Sequence, residues 1–326
     1  MNFELLKNML PEPVKKILRP IFYRLLKKET QLPMSVPTSP QLVEYLKSKC
    51  KKNRLNLVLR DGFGDCLFIV GMRNEIEARY NAKIHFLIKP SCEFLMRMYK
   101  INDYEIVNEL SIKDTEQGNY INKTPQPRVG EIFFPHPRFN KTTAELQYNQ
   151  KTFSLMWKEF LIPGGDLVRF QEPVVYPQPS KKLLTAIKNN FSNVIVLLPE
   201  AHSSSMFNIP WWNDLAKELI SDNYTIVCNA IRRENRIRGT INNLDLSMED
   251  LIALCINAKA VISVRNGLCD ICHELGGRLI VLYDAWAPHE LEYFSLNKLF
   301  NRKDIHEYAN SKDISVKKIR QMIASN

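Results

Sequence analysis

Residues 259–284 read KAVISVRNGLCDICHELGGRLIVLYD. The apolar runs at 260–264 and 279–283 predict two buried strands, and the segment between them predicts a short helix that ends at Gly276 and Gly277. Strands on either side of one helix form a βαβ crossover, whose strands are parallel. We therefore predict an α/β protein with parallel sheets, in which ligands bind at the carboxyl ends of the strands.

The turn between the first of these strands and the helix consists of Arg265, Asn266 and Gly267. A helix N-terminus offers free N–H groups, glycine lets a ligand approach the backbone, and Arg265 adds a cation. These features predict an anion site, above all for phosphate. The alternative is an ordinary βα turn in which Arg265 is solvated.

The composition indicates a cytoplasmic protein of two domains. A length of 326 residues exceeds the size at which single cores stop growing. The seven cysteines are an odd number and stand in apolar segments, which predicts buried free thiols in a reducing compartment. Cys269, Cys272 and His273 match the haem-attachment pattern C-x-x-C-H, but they fall within the predicted helix, so a buried helix face explains both cysteines better.

The net charge of +10 favours an acidic partner. An anionic membrane surface and a phosphorylated substrate both fit this charge. The sequence has no finger, basic zipper or RNA-recognition motif, so we predict no nucleic-acid partner. Residues 1–30 carry seven Lys or Arg against three Glu, with apolar residues at helical spacing. This segment is predicted to lie on the inner face of the plasma membrane as a peripheral contact, or to dock on the protein's own surface.

The first half of the folded region shows a second βαβ pattern. Its predicted elements are strands at 56–60, 83–88 and 105–107 and helices at 66–80 and 153–162, with a loop-rich region at 111–152. Gly62 and Gly64 allow a tight turn after the first strand, and Asp65 follows them. An Asp at a helix N-terminus is usually a cap, so a catalytic role for Asp65 needs further support.

The second half repeats the pattern after a proline-rich segment at 170–180, which we interpret as an interdomain linker. Its further predicted elements are helices at 181–190, 210–219 and 315–324 and strands at 193–198 and 225–229. Ser247 is predicted to begin a helix in a pattern close to a capping box with Asp250. The predicted domains are a basic segment and linker at 1–45, an N-terminal acceptor domain at 46–175 and a C-terminal donor domain at 176–326.

Four segments resemble the family 9 glycosyltransferases, the bacterial heptosyltransferase-like enzymes of lipopolysaccharide assembly. Residues 57–67 (LVLRDGFGDCL) resemble the family's first strand and G-D-x-L turn, and residues 196–203 (VLLPEAHS) resemble its second-domain strand and phosphate loop. Residues 245–251 (DLSMEDL) resemble its S-L-x-E-L segment, and residues 261–268 (VISVRNGL) its V-I-S-x-D-S/T-G-x-x-H motif. The resemblance covers most of residues 54–285. It implies the GT-B architecture, in which two Rossmann-like domains with parallel sheets face each other across a cleft.

The resemblance also implies a role for individual residues. Asp65 takes the position of the catalytic base, which removes the proton from the acceptor hydroxyl in an inverting transfer. The implied donor-site residues are His202, Ser203 and Ser204 beside the diphosphate, Glu234 on a ribose hydroxyl, Leu246 beside the base, and Arg265, Asn266, Gly267, Leu268 and Asp270 at the last phosphate turn. The implied acceptor-site residues are Arg60, Gly64, His136 and Arg138.

The sequence departs from the family motif at charged positions. Arg265 stands where the family has Asp, Asp270 stands where it has His, and no Lys follows Ser203 at the expected place. Arg265 is expected to replace the cation lost from the other phosphate loop and to alter the sugar pocket. We therefore expect a donor other than the heptose of the best-known members.

The resulting expectation is an inverting glycosyltransferase that moves a sugar from a nucleotide-diphosphate donor to a bacterial surface glycan or a lipid-linked precursor. Asp65 is the expected base, and Arg265 and helix N-termini are expected to stabilise the leaving diphosphate. No cofactor and no metal are expected, since no ligand motif is evident. The expected partners are the nucleotide sugar and a glycan or glycolipid acceptor. The alternatives are a catalytically silent GT-B scaffold protein in polysaccharide assembly and a nucleotide-sugar epimerase of the same fold.

Overall fold

The structure is a computed structural model of the chain. It describes residues 39–60, 62–111, 124, 126–135, 161–162, 170–201, 209–230, 236–242, 246–283 and 294–325. Residues from Leu42 to Asn326 form one compact unit, which holds both sheets. Three predicted regions lie wholly or mostly outside the described residues. They are the amphipathic segment at 1–30, the loop-rich region at 111–152 except for residues 111, 124 and 126–135, and the helix at 153–162 except for its last two residues.

The first sheet contains four described strands, all parallel, in the order β3-β2-β1-β4. The strands are β1 (Leu55–Leu59), β2 (Ile84–Ile88), β3 (Tyr104–Ile106) and β4 (Ile132–Phe133), and the helices are α1 (Ser39–Ser48), α2 (Phe63–Gly71), α3 (Arg73–Tyr80) and α4 (Glu93–Met98). Every residue of β1 and of β2 is buried. Strands of a parallel sheet that is covered on both faces are largely apolar, and the exceptions here are Asn56 in β1 and His85 in β2.

The second sheet contains six described strands, also parallel, in the order β10-β9-β8-β5-β6-β7. The strands are β5 (Val194–Leu198), β6 (Thr225–Cys228), β7 (Ile241–Asn242), β8 (Ala260–Val264), β9 (Leu279–Leu282) and β10 (His306–Tyr308), and the helices are α5 (Lys181–Ala186), α6 (Ile209–Ser221), α7 (Met248–Asn257), α8 (Gly267–Cys272), α9 (Leu296–Leu299) and α10 (Val316–Ser325). The central strands β5 and β8 are buried along their whole length.

Each sheet has one point at which the strand order reverses. In the second sheet the chain runs outward from β5 through β6 to β7, then returns to β8 and runs outward through β9 to β10. In the first sheet it runs outward from β1 to β3 and returns to place β4 on the other side of β1. Helices leave opposite sides of the sheet at such points, so a crevice opens at the carboxyl ends of the two strands. The two crevices follow β1 and β4 in one sheet and β5 and β8 in the other.

The prediction of an α/β protein with two parallel sheets is confirmed. The seven predicted strands lie within one residue of the observed bounds of β1, β2, β3, β5, β6, β8 and β9. The single helix predicted at 66–80 is wrong, because two helices occupy this region and the backbone leaves the helical conformation at Met72, with φ −90° and ψ 4°. The short strands β4, β7 and β10 were not predicted from the sequence.

The break between α2 and α3 coincides with a close contact at Gly71. A Cβ atom on this residue would lie 2.3 Å from Cε2 of the Phe170 ring, so only glycine fits here. The Gln171 N–H donates to the Gly71 carbonyl at 2.9 Å. Further along, the N–H groups of Val174 and Val175 donate to the Met98 carbonyl at 2.9 Å and 3.0 Å. The start of the segment interpreted as a linker is therefore bound to the helices of the first sheet.

The predicted helix start at Ser247 is confirmed, but Asp250 acts differently from a capping-box residue. The Ser247 side chain accepts a hydrogen bond from the Asp250 N–H at 3.0 Å. The Asp250 carboxylate accepts instead from the N–H and the hydroxyl of Ser180, both at 2.8 Å. Ser180 is the N-cap of α5, and its hydroxyl oxygen accepts from the Leu183 N–H. The hydrogen bonds between Ser180 and Asp250 therefore join the beginnings of α5 and α7.

The cysteines are free thiols, as predicted. Cys50 is half-buried, and the other six are buried: Cys66, Cys92, Cys228, Cys255, Cys269 and Cys272. Cys269 and Cys272 lie on the inner side of α8, as the buried-helix interpretation predicts. Among the described helices, none combines the length and the apolar composition that crossing a bilayer requires.

Asp103 anchors the start of β3 to the start of β1. Its carboxylate accepts from Lys51 Nζ at 2.6 Å and from Arg54 Nε at 2.9 Å, and it pairs with Nδ1 of the buried His85 at 2.7 Å. Burial alone would raise the pKa of Asp103, but the hydrogen bonds from Lys51, Arg54 and His85 outweigh burial and lower it to about 2. A carboxylate whose pKa is lower in the folded state than in the unfolded state stabilises the fold at pH values above its unfolded-state pKa.

We expect Asp103→Asn to reduce the free energy of unfolding by about 2 kcal/mol at pH 7, because a lowering of nearly two pKa units is worth roughly that amount. The difference between wild type and variant should shrink as the pH falls from about 4 to about 2, since the wild-type carboxyl then becomes protonated. Urea unfolding measured across this pH range tests the expectation. Asp214→Asn, which removes an exposed carboxylate in α6, is the control. A difference that stays constant with pH would contradict the assignment.

Candidate active site

The turns at the two strand-order reversals are in direct contact. The first turn follows β1 and contains Gly64, and the second follows β8 and contains Gly267. A Cβ atom on Gly64 would lie 3.2 Å from the Gly267 Cα and 2.8 Å from Oδ2 of Asp270. A Cβ atom on Gly267 would lie 2.8 Å from the Gly64 nitrogen. Both residues must be glycine for these backbones to approach so closely, and the contact brings the carboxyl ends of β1 and β8 together.

Asp65 lies beside this contact, in the first turn of α2. Its side chain is half-buried, and Oδ2 lies 3.2 Å from the position that a Cβ atom on Gly62 would occupy. A helix N-terminus stabilises a negative charge, so this position favours an ionised carboxylate. A carboxylate at the junction of two ligand crevices can accept a proton from a bound hydroxyl group.

Arg265 is buried, and the alternative that it is solvated is therefore wrong. Its guanidinium donates from Nη2 to Asp270 Oδ1 at 2.6 Å and from Nη1 to Asp270 Oδ2 at 3.0 Å. Nη1 also donates to the Asn266 carbonyl at 2.6 Å, and Nε donates to the Phe294 carbonyl at 3.3 Å. The side chains of Arg265 and Asp270 are 11% and 3% exposed. The cation expected in this turn is thus largely neutralised by Asp270.

Burial and ion pairing shift the pKa values of Arg265 and Asp270 in opposite directions. Burial alone would lower the pKa of Arg265, but the Asp270 carboxylate more than reverses this and raises it above the ordinary value. Burial raises the pKa of Asp270, and the guanidinium opposes that rise. Each charge is therefore tolerated in the interior only because the other is present.

Asn266 holds the second turn in place. Its side-chain oxygen caps α8 by accepting from the Leu268 N–H at 2.9 Å, and its carbonyl accepts from the Cys269 N–H at 3.1 Å. Two of the N–H groups expected to be free for an anion are therefore already bonded. The Asn266 amide donates to the Glu200 carbonyl and to the Ser263 hydroxyl, both at 3.2 Å. These bonds fix the turn to the chain that leaves β5, at the strand-order reversal of the second sheet.

The structure brings together only part of the site predicted from the sequence. Gly64, Asp65, Arg265, Asn266, Gly267, Leu268 and Asp270 cluster at the junction of the two turns. Arg60 follows β1 directly and is half-buried, and Leu246 lies before the N-cap of α7 and packs on the core. Six predicted residues lie outside the described residues: His136, Arg138, His202, Ser203, Ser204 and Glu234.

Comparison with known proteins supports the architecture. The sequence matches no protein-family profile and no curated protein. Escherichia coli ADP-heptose lipopolysaccharide heptosyltransferase II superposes with a TM-score of 0.54 at 14% identity, over 83% of this chain and 98% of the other. A glycosyltransferase of family 9 from Veillonella parvula superposes with a TM-score of 0.52 at 12% identity, over 85% and 98%. The chain therefore has the GT-B fold and resembles family 9 in structure, which confirms the fold expected from the four sequence segments.

Proposed function

We propose that the protein is an inverting glycosyltransferase that moves a sugar from a nucleotide-diphosphate donor to a hydroxyl group of a glycan or lipid-linked acceptor. The observation that carries this proposal is the contact between Gly64 and Gly267, which joins the crevices of the two sheets. A transfer reaction needs two ligand sites that share one reacting centre. Asp65, at this junction, supplies a proton acceptor at that centre.

The donor is assigned to the second sheet. The crevice at β5 and β8 is the place where open parallel sheets bind nucleotides, and Asn266 joins the ends of these strands through Glu200. The segment 202–205, which carries the hydroxyl and imidazole groups proposed for the diphosphate, follows β5 in sequence. Heptosyltransferase II, whose fold this chain shares, is named for ADP-heptose. An analogous nucleotide sugar is the proposed donor.

The acceptor is assigned to the first sheet. Its crevice lies at the ends of β1 and β4, and the chain that leaves β4 leads to His136 and Arg138. Arg60 and Gly64 follow β1 on the other side of the same crevice. Arg60, together with Arg138 from the segment that follows β4 in sequence, would suit an acceptor that carries anionic groups, such as a phosphorylated glycan or lipid precursor.

The proposed chemical step is a single displacement. The acceptor oxygen attacks the anomeric carbon and forms the new glycosidic bond, while the bond from that carbon to the diphosphate oxygen breaks. Asp65 takes the proton of the acceptor hydroxyl, and the electron pair of the broken bond leaves with the nucleoside diphosphate. Because Asp270 neutralises Arg265, this arginine contributes mainly by fixing the turn that faces the diphosphate. The hydroxyl and imidazole groups of segment 202–205 are proposed to stabilise the leaving group.

A thermal-shift screen of nucleoside diphosphates and nucleotide sugars tests donor binding. A ligand at 100 times its dissociation constant stabilises a protein by about 2.7 kcal/mol, so the correct nucleotide should raise Tm by several degrees. The matching nucleoside without phosphates should produce a much smaller shift, because the diphosphate provides most of the proposed contacts.

Two asparagine variants locate the binding site. Asn266→Ala removes the bonds that fix the donor turn and should reduce the shift. Asn193→Ala removes a comparable bond, to the Asn223 carbonyl, at an exposed position and should leave the shift unchanged. If no nucleoside diphosphate or nucleotide sugar raises Tm, the proposal of a donor site is wrong, and the scaffold alternative gains support.

A further inference from the structure

A second cluster of polar side chains lies on the far side of α8. Within the described part of the chain, the ligand atoms of Glu172, His273 and Glu274 lie within 4.8 Å of one another. Glu172 belongs to the segment that follows Phe170, and the other two residues begin the 3₁₀ turn after α8. Neither the fold nor the proposed transfer reaction accounts for this cluster.

His273 lies at the base of the cluster in a fixed orientation. Its side chain is 4% exposed, and its ring stacks on Phe300 at a centroid distance of 3.7 Å with 8° between the planes. Nδ1 lies 2.6 Å from the Asp270 carbonyl oxygen. A carbonyl can only accept, so Nδ1 carries a proton and donates it. In a neutral imidazole the other nitrogen, Nε2, therefore presents a lone pair.

That lone pair faces a carboxylate. Nε2 lies 3.0 Å from Oε1 of Glu172, so two atoms that accept hydrogen bonds face each other at hydrogen-bond distance. Such a contact requires a cation between the atoms, which is a proton or a metal ion. The Nδ1–H bond to a backbone carbonyl is the arrangement that orients histidine ligands in metal sites.

A buried hydroxyl group near the cluster has no partner. Tyr99 is 6% exposed, and its hydroxyl makes no hydrogen bond to any described residue. Burial raises the pKa of Tyr99, and the carboxylates of Glu172 and Glu274 lie close enough to raise it further. A buried hydroxyl group without a partner among the described residues is a group that an ordered water molecule can satisfy.

The basic side chain of Arg302 near the cluster leaves the carboxylates of Glu172 and Glu274 available to bind an ion. Arg302 lies near Glu172 and Glu274, but its guanidinium is held by Asp304 through bonds of 2.9 Å and 2.8 Å. Tyr176 donates its hydroxyl proton to Oε2 of Glu274 at 2.7 Å, which leaves Oε1 for another contact. Among the described residues, no lysine or arginine side chain is therefore bonded to the carboxylates of Glu172 and Glu274.

We propose that Glu172, His273 and Glu274 bind a divalent transition-metal ion of the Zn²⁺ class. One imidazole nitrogen and two carboxylate oxygens suit such borderline metals, and three protein ligands leave a coordination position open for water. The aromatic rings of Phe300 and Phe170 wall the imidazole from one side, which favours metal–ligand bonds by excluding water. The ion fastens the segment after Phe170 to the end of α8. This site is independent of the proposed sugar transfer.

Cobalt binding to tag-free protein that has been stripped with a chelator tests this site. CoCl₂ should bind at one equivalent with the visible absorption of protein-bound Co²⁺, and ZnCl₂ should displace it. Glu172→Gln and Glu274→Gln should each weaken Co²⁺ binding by more than about 10-fold, since each removes a charged ligand. Their side chains are exposed, so both variants should fold.

Glu131→Gln, which removes an exposed carboxylate beside β4, is the matched control and should bind Co²⁺ as wild type does. Two results would overturn the proposal. One is the absence of stoichiometric Co²⁺ binding by wild type, which would mean that a proton joins His273 to Glu172. The other is equal affinity in wild type and in both glutamine variants, which would place the metal elsewhere.

Discussion

Replacing Asp65 by asparagine should lower kcat for sugar transfer by about 10²–10⁴-fold and leave donor binding unchanged. A general base in this position takes the proton from the acceptor hydroxyl as the new bond forms, and removing such a base typically has an effect of that size. Asparagine has the same shape as aspartate and can still occupy the first turn of α2. The loss should therefore fall on the chemical step, not on the fold.

The measurement is the release of nucleoside diphosphate in the presence of acceptor, combined with the thermal shift produced by the donor. Glu75→Gln is the matched control, because Glu75 is also an acidic residue in the first turn of a helix, α3, but does not lie at the junction of the two turns. It should transfer sugar at the wild-type rate. Undiminished transfer by Asp65→Asn would remove Asp65 as the base. A wild-type protein that binds nucleotides but transfers sugar from no donor would favour the scaffold alternative.

The central strands could be predicted from the sequence because their buried environment gives them an apolar composition. Residues of β5 and β8 are buried, so β5 appears as a continuous apolar run of five residues and β8 as an apolar run interrupted by Ser263. The strands β4, β7 and β10 have only two or three residues each, and no periodicity can be read from such a length. They become strands because a longer neighbour offers hydrogen bonds along its edge. The break at Met72 was not predicted, and it coincides with a contact between Gly71 and Phe170, which are distant in sequence.

Several residues of the candidate site could be predicted from the sequence, but the contacts between them could not. Gly64 was expected to allow a tight turn and Gly267 to let a ligand approach the backbone, and the structure shows that the two glycines approach each other. The charge of Arg265 was evident, but its pairing with Asp270 was not. Residues five apart are not neighbours on a helix, and this pair forms because the turn at Asn266 folds Arg265 back over α8. The contact between His273 and Glu172 was not predicted either, since the two residues are 101 positions apart in sequence.

The pairing of Arg265 with Asp270 leads to the prediction with the largest expected effect on stability. Asp270→Asn should reduce the free energy of unfolding by about 3–5 kcal/mol, because the largely buried guanidinium loses the carboxylate that pairs with it among the described residues. Arg265→Met should cost a similar amount, because it leaves the Asp270 carboxylate buried without a cation.

An exposed ion pair of the same chemistry provides the control. Arg320 donates to both carboxylate oxygens of Asp222 at 2.7 Å and 2.6 Å, but both side chains are more exposed than those of the buried pair. Asp222→Asn should therefore have a much smaller effect, since water replaces the lost partner. Urea unfolding at pH 7 measures both variants. If the two asparagine variants lose equal stability, burial does not determine the strength of the Arg265–Asp270 pair.

The double variant of Arg265→Met and Asp270→Asn distinguishes an ion pair from two independent buried groups. If the penalty in each single variant arises from the charge left behind, removing both charges should cost clearly less than the sum of the two single changes. If the two groups contributed independently, the loss in the double variant would equal the sum of the losses in the two single variants. Because Asp270 also contacts Gly64, each single variant should disturb the junction of the two turns. Donor-induced thermal shifts should accordingly weaken in the single variants and recover in part in the double variant, and equal shifts in all three would show that the pair does not position the donor turn.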